Sequence, residues 1–493
     1  MSSFASLFAL VMLLHTSLMH CLHPLRLRGR VSCVRGSSSF SRKCSGSASS
    51  SRSRGRSRSR KSKGFLAWPF EYHETIKVVI EDLTNLGVGV ARYPISDRMN
   101  SDLAPTQDEK NSSRQSWVVM VPKTLPGEEV VCRIYRNFKG YSDADLVEIV
   151  KESDDRVEPK CAYFEKCGGC QYQMMSIDAQ RDWKQKQVVG LLKHLANVEN
   201  PEVLPTIGTK EEYGYRSKIT PHYNVPKFGI EDLRIGFQQR GTRVIEDIPA
   251  CIIATPAINE RYAERREEIR NNMILNGMPK KGATLLFREG VKDGEVHVET
   301  NFREIMEEQV LGVTFKYRAS EFFQNNAFAL PALVEHVMEL IKGDGCENLI
   351  DAYCGSGLFS LVGASHFQAT YGVEISELAV KAAQANAELN GITNAQFYSG
   401  AAEAIFENVS HLDRDKTCIL LDPPRKGCDS VFLDQLFAFG PKKVVYISCD
   451  PATQARDTKE IIDAGYVIRS VQPFDLFPQT RHIENVIYFT RNH

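Results

Sequence analysis

The sequence predicts a doubly wound α/β domain that follows two β-rich regions. Three patterns carry that expectation. From residue 314 onward, apolar strand-like runs (NLIDAY, ATYGVEI, CILLD, KVVYIS) alternate with helical segments such as SELAVKAAQANAELNG. Residues 74–151 hold five short strand-like runs with turn signals between them. Residues 211–302 read as mostly β, with YGYRSKI, RIGFQQ, TLLFREG and EVHVET. A chain of 493 residues at 42% hydrophobic can bury several cores, which excludes global disorder.

The first seventy residues do not belong to that fold. Formal charges cancel at 61 Lys and Arg against 61 Asp and Glu, yet they are segregated. Thirteen Lys and Arg and no acid precede Glu71, so the remainder carries 48 basic against 61 acidic residues, a net of −13. Residues 4–14 are apolar, the length of a signal h-region and below the ~18 needed to span a bilayer. Residues 37–63 hold 13 Ser interleaved with Arg, the composition of a transit peptide. Residues 1–70 are therefore expected to be a targeting presequence that does not fold, with a plastid favoured over a mitochondrion. A basic tail touching RNA is the blander alternative.

Residues 71–152 are expected to close into a small barrel of the oligonucleotide-binding kind, with 96–116, polar and rich in Pro, Asn and Asp, as an inserted loop. Next, CAYFEKCGGC spaces Cys161, Cys167 and Cys170 so that a Gly-Gly turn can wrap a metal. Zinc, another metal centre and unliganded thiols all remain open on spacing alone. A helix-like run, SIDAQRDWKQKQVVGLLKHL, follows. Thirteen Cys in 493 residues is far too sparse for a disulfide scaffold.

In the α/β region, DAYCGSGLF places Tyr353, Gly355 and Gly357 in the turn after a strand ending near Asp351. Glycines there let the backbone approach a ligand at the carboxyl edge of the sheet. Glu374 ends the next strand, where an acid suits ribose hydroxyls, and Asp422 ends a third in LLDPPRKG. No Lys-Ser/Thr follows the loop, which excludes a P-loop. A cationic sulfonium tolerates this acidic surround better than a pyrophosphate does. A nucleotide-binding dehydrogenase and a structural Gly turn stay open at this stage. VVYISCDPAT sets Cys449 just past another strand, and FPQTRHIENV supplies Glu484 with His482 beside it. A thiol and a carboxylate together suit addition followed by proton removal. Read blandly, they are a core thiol and one acid among 61.

Six segments, EFFQNN (321–326), DAYCGSG (351–357), GVEIS (372–376), LDPPRKG (421–427), SCDPAT (448–453) and FPQTRHIENV (477–486), resemble in order and spacing the RNA uracil-C5 methyltransferase family. The likeness covers 318–493; the region 71–152 is similar to the TRAM barrel that members often carry. The resemblance implies a Rossmann-like S-adenosylmethionine-dependent catalytic domain (316–493), a TRAM-like barrel (71–152) and a central β-rich iron–sulfur domain (153–315). It implies that Gln324, Tyr353, Gly355, Glu374 and Asp422 bind S-adenosylmethionine. Cys449 would be the nucleophile and Glu484 the base, in a reaction giving 5-methyluridine through a Cys–C6 adduct. It implies that Cys161, Cys167, Cys170 and Cys251 hold a structural [4Fe–4S] cluster. Two positions depart: Asp450 stands where the family more often has Asn, and Leu358 where many members have a polar cofactor contact, so that contact is not carried over.

The expected partner is RNA, ribosomal favoured over transfer, with no membrane, no obligate protein partner and a monomeric state. A non-catalytic RNA-binding or folding factor and an RNA cytosine-C5 methyltransferase are the alternatives. Intact Cys449 and Glu484 argue against the first, and Arg425 in place of a second Cys argues against the other. With a body near −13, RNA affinity must be local, on Arg133, Arg136 and Lys139 of the barrel and Arg216 and Lys218 of the centre.

Overall fold

The computed structural model describes residues 66, 68–95, 116–292, 294–402 and 405–492. Nearly all of the expected presequence, and the inserted loop at 96–115, lie outside the described residues. No helix among the described residues is long and apolar enough to cross a membrane.

Five strands close into a barrel: β1 (Thr75–Leu83), β2 (Val88–Pro94), β3 (Ser116–Pro122), β4 (Glu129–Asn137) and β5 (Tyr141–Lys151). The order is β1-β2-β3-β5-β4, β3 and β5 being parallel and β4 returning to β1. In β1, Ile76, Val78 and Ile80 point inward and alternate with exposed neighbours, as a strand with one wet face requires. Trp68 packs edge-to-face on Trp117 at 4.9 Å. A buried polar chain closes the barrel: Trp117 Nε1 donates to Ser142 Oγ at 2.9 Å, Ser142 to Asn137 Oδ1 at 2.6 Å, and Asn137 Nδ2 to Phe70 O at 2.7 Å.

Helix α1 (Ile177–Leu195) starts on the Ser176 cap, whose side chain accepts from Ala179 N. Its Val188, Leu191 and Leu192 enter the core of the α/β domain rather than a core of the central region. A two-residue strand, β6 (Ile207–Gly208), pairs with the edge of the α/β sheet. Residues 177–208 thus pack on the α/β sheet, although their sequence position lies in the central region.

The central region has two small sheets. One has the order β10-β9-β8-β11, built from β8 (His222–Tyr223), β9 (Ile235–Gln238), β10 (Ile245–Asp247) and β11 (Ala283–Thr284). The other joins β12 (Phe287–Lys292) to β7 (Lys218–Ile219), β13 (Glu295–Glu299) and β14 (Ile305–Val310), with β15 (Val313–Arg318) beyond β14. Between them runs α2 (Pro256–Asn276), which the mostly β reading of 211–302 did not foresee. Its punctuation is present in the sequence, a Thr255 cap, Pro256 in the first turn and Gly277 after the end. Its apolar stripe is thin, because buried Arg266 fills one inward position and grips Asp247 and the Ile235 carbonyl.

The remainder is one eight-stranded sheet of order β18-β17-β16-β19-β20-β22-β21-β6. Its strands are β16 (Asn348–Ala352), β17 (Ala369–Glu374), β18 (Ala395–Ser399), β19 (Thr417–Leu421), β20 (Lys443–Ser448), β21 (Tyr466–Asp475) and β22 (Glu484–Arg491). The five from β18 to β20 are parallel; β22 is antiparallel to both neighbours. Helices α3 (Leu330–Ile341), α4 (Leu358–Gly363), α5 (Glu377–Leu389), α6 (Ile405–Val409), α7 (Ser430–Phe439) and α8 (Pro451–Asp463) connect or flank the strands. The strands are apolar nearly throughout because the sheet is covered on both faces. The expected doubly wound domain is present.

Candidate active site

The sheet order lays the candidate residues along one edge. Moving across it, β17 ends in Glu374, β16 leads into Tyr353 and Gly355, β19 ends before Asp422, β20 ends before Cys449, and β22 begins at Glu484. Because β22 runs the opposite way, its first residue reaches the same edge as the last residues of the parallel strands.

The cofactor side is assembled from short-range contacts. Gly355 and Gly357 adopt φ of 54° and 88°, which only glycine holds without strain. A Cβ on Gly355 would meet nothing within 4 Å, so the backbone there faces open space. Gly355 N donates to Glu374 at 3.3 Å, and Ser376 N donates to the same carboxylate at 2.9 Å. Tyr353 takes a φ of 93°, an unusual conformation for a non-glycine residue, held where Tyr353 N and Cys354 N both donate to Val373 O at 3.0 Å. Beneath the loop, buried Asp351 accepts from Ser360 N and Oγ at 3.1 and 2.6 Å. Burial pushes its carboxyl up to about 6. Gln324 is buried between β15 and α3, its carbonyl accepting from buried Arg288 at 3.4 Å.

The other side brings thiol and carboxylate together. The antiparallel ladder pairs Ser448 with Asn485. Cys449 follows β20 directly and Glu484 opens β22, so the thiol and the carboxylate lie at the same end of this ladder, close enough for Glu484 to act on the thiol electrostatically. Gln454 locks this register: its Nε2 donates to Tyr446 O and Asn485 O, and Asn485 Nδ2 donates to its Oε1 at 2.7 Å. Asp450 caps α8 through Ala452 N and Thr453 N, so Cys449 sits between a strand end and a helix start. Thr453 Oγ1 donates to Arg425 O at 3.1 Å, which fastens the DPPR loop alongside.

Charge at this end is concentrated. Glu484 is 3% exposed, and burial, reinforced by Asp422, pushes its carboxyl well above the usual range against the opposing Arg425. Asp422 is raised likewise, by burial and then Asp351. Burial drives the Cys449 thiol up to about 12, Glu484 and Asp422 adding to the effect, while the hydrogen-bonded Arg425 guanidinium pulls it down. Arg425 is thus a partner of the thiol. His482 does not join the pair. It lines a separate cavity and is pushed down to about 3 by burial and by Arg481, Arg425, Lys184 and Arg216.

That cavity, about 310 Å³, is lined by Cys161, Cys167, Cys170 and Cys251 together. All four thiols are free of disulfides. Burial and mutual repulsion push Cys167 to about 11 and Cys170 to about 12. A single zinc draws its sulfurs to ~2.3 Å from one point. Among the described residues no three His, Cys, Asp or Glu side chains are arranged to hold a metal ion.

Of the expected RNA-facing cations, Arg133, Arg136 and Lys139 are exposed on the barrel, with Arg136 over Phe138 at 4.4 Å. Arg216 and Lys218 are engaged internally. Arg216 Nε donates to Lys218 O, and Lys218 Nζ donates to Ser320 O and Glu321 O.

Comparison with known proteins decides the class. Residues 290–492 match the model of the tRNA (uracil-5-)-methyltransferase family. A Schizosaccharomyces pombe tRNA (uracil(54)-C(5))-methyltransferase is 37% identical over 441 residues, covering 86% of this chain and 79% of its own. The chain belongs to this family. It is an RNA (uracil-5-)-methyltransferase. A Saccharomyces cerevisiae enzyme of the same name is 33% identical to this methyltransferase, covering 85% and 74% of the two chains. An uncharacterized RNA methyltransferase of Halalkalibacterium halodurans is 32% identical, at 85% and 97% coverage. In fold, the methyltransferase is similar to the Pyrococcus abyssi tRNA (uracil-54, C5)-methyltransferase solved with S-adenosyl-L-homocysteine. The TM-score is 0.61 at 23% identity, over 84% of this chain and all of that one.

Proposed function

We propose that the methyltransferase converts uridine 54 of transfer RNA to 5-methyluridine through a covalent bond between Cys449 and C6 of the uracil. The expectation of ribosomal RNA gives way here to transfer RNA, because the relatives at 37% and 33% identity carry that substrate in their names. The reading of the chemistry is supported by Cys449 and Glu484 lying at the same end of the β20–β22 ladder, with Asp422 acting on both electrostatically.

C5 of uracil is a poor nucleophile. Addition of the Cys449 thiolate to C6 makes C5 an enolate carbon, with Arg425 and the start of α8 favouring the thiolate. S-adenosylmethionine supplies an electrophilic methyl group on a sulfonium. Gly355 gives it backbone room, Glu374 suits the ribose, and Tyr353, Gln324 and Asp422 complete the proposed pocket. The Glu484 carboxylate takes the C5 proton, and the C6–S bond then breaks and returns the thiolate. The target base must leave its stack to admit both groups. Exposed Arg133, Arg136 and Lys139 are proposed to hold the RNA backbone.

Cys161, Cys167, Cys170 and Cys251 are proposed to hold a structural [4Fe–4S] cluster. Support comes from four free thiols that line one cavity. Anaerobically purified protein should contain iron and sulfide; stoichiometric zinc would refute this. The arm at 1–70 is proposed to direct import into a plastid, tested by the location of a fluorescent fusion.

The deciding experiment incubates the protein with S-adenosylmethionine and a transfer RNA transcript, followed by nucleoside mass spectrometry. The expected result is 5-methyluridine, lost when uridine 54 is changed to cytidine. Methylation of ribosomal RNA alone would overturn the substrate.

A further inference from the structure

The loop that ends at Glu484 is held by more than its own turn, in which Thr480 N and Oγ1 both donate to Phe477 O. Gln479 adopts a φ of 69°, left-handed and strained for a side-chain-bearing residue. It is gripped by a segment some 300 residues earlier in the chain. Gln171 N and Tyr172 N both donate to Gln479 O at 3.0 Å. Gln180 and Gln479 pair reciprocally: Gln479 N donates to Gln180 Oε1 at 2.9 Å, and Gln180 Nε2 donates to Gln479 Oε1 at 3.1 Å. Gln180 Nε2 also donates to Met175 O at 2.8 Å, so its amide is fixed from both sides. Gln171 Nε2 donates to Gly168 O at 2.9 Å in the Gly-Gly turn, while its Oε1 accepts from Arg481 N at 3.2 Å. Tyr215 Oη donates to Pro478 O at 2.9 Å. At the foot of the loop, Lys184 pairs with Asp475 at 2.5 Å, both side chains fully buried. Past the grip, Thr480 and His482 form part of the wall of the cysteine-lined cavity.

We infer that the stretch from Gln171 to Lys184 is a clamp that positions Glu484 for proton removal, with Gln180 and Gln171 as its positioning residues. This rests on Glu484 being the base, as proposed above. A helix that packs by one face on a sheet needs only apolar contacts to dock. Two buried glutamines aimed at one strained loop set where that loop sits instead. The bridge from Gly168 through Gln171 to Arg481 ties the cysteine turn to the catalytic loop. The central region would therefore serve the chemical step. Proton removal comes after the Cys449–C6 bond forms, so a slack clamp should leave adduct formation intact and slow its resolution.

The test uses the full chain with a transfer RNA transcript and S-adenosylmethionine. Gln180→Met keeps the volume and removes the amide. It should lower kcat on the order of 10²-fold, the cost of an ångström-scale misplacement. The KM for S-adenosylmethionine should stay within about twofold, because Tyr353, Gly355 and Glu374 lie across the sheet edge from the clamped loop. A methylated protein–RNA adduct should accumulate on a denaturing gel. Gln171→Met should do the same more weakly, and it decides the matter if Gln180→Met does not fold. Wild-type turnover in the folded variants overturns the clamp, as does lost activity with no adduct, which is the mark of a merely structural role. Glu484→Gln is run in parallel. If it turns over normally, the base assignment fails and the clamp with it. If it traps adduct while both glutamine variants turn over normally, the clamp alone fails.

Discussion

On the β16–β17 side of the sheet edge, each polar group is held by chain close at hand. Ser360 reaches Asp351 across nine residues, and Gly355 reaches Glu374 across nineteen. On the β20–β22 side, Glu484 ends a loop held by Gln180, 299 residues from its partner Gln479, and by Lys184, 291 residues from Asp475. The contrast shows how one site can be half self-contained and half dependent on a distant segment. The cofactor half should tolerate change elsewhere in the chain. The base half should fail whenever the central region is disturbed.

The largest expected effect breaks the chemistry itself. Cys449→Ala should reduce methylation on the order of 10⁴-fold or more, measured as methyl incorporation. Glu484→Gln should cost about 10²–10⁴-fold and leave a covalent RNA adduct visible on a denaturing gel. Lys184→Met probes the distant side. It strands Asp475 as a buried unpaired charge and should destabilise the fold by about 3–5 kcal/mol in denaturant titration. Glu374→Gln probes the local side. It should raise the Kd for S-adenosylmethionine about 10-fold by calorimetry and leave RNA affinity unchanged. The smallest effect is electrostatic. The Cys449 thiol is raised to about 12, so thiolate is scarce at neutral pH, and adduct formation should climb as pH rises from 6 to 9. Arg425 opposes that rise, so Arg425→Ala should slow adduct formation by about three- to tenfold at fixed pH.

The same contrast explains what could be read in the sequence. Glu374 ends an apolar strand, Tyr353, Asp422 and Cys449 each follow one directly and Gly355 comes two residues after Tyr353, so strand and motif together place them on one edge. The barrel was legible for the same reason, since its strands alternate with period two. The clamp was not legible. Gln171 and Gln180 carry no local signal, and their meaning lies in Gln479 and Arg481, which only the tertiary fold brings near. Helix α2 was missed because a buried arginine interrupts its apolar stripe. His482, next but one to Glu484, faces the cysteine cavity instead, a direction its neighbours in sequence do not reveal.

The most direct test of the chemistry follows the hydrogen that Glu484 is held to remove. A transfer RNA transcript labelled with tritium at uracil C5 is incubated with the protein and S-adenosylmethionine. One tritium should appear in water for each methyl group transferred, with neither event in Cys449→Ala. Methyl transfer without tritium release, or undiminished release from Cys449→Ala, would contradict attack through Cys449 and methylation at C5.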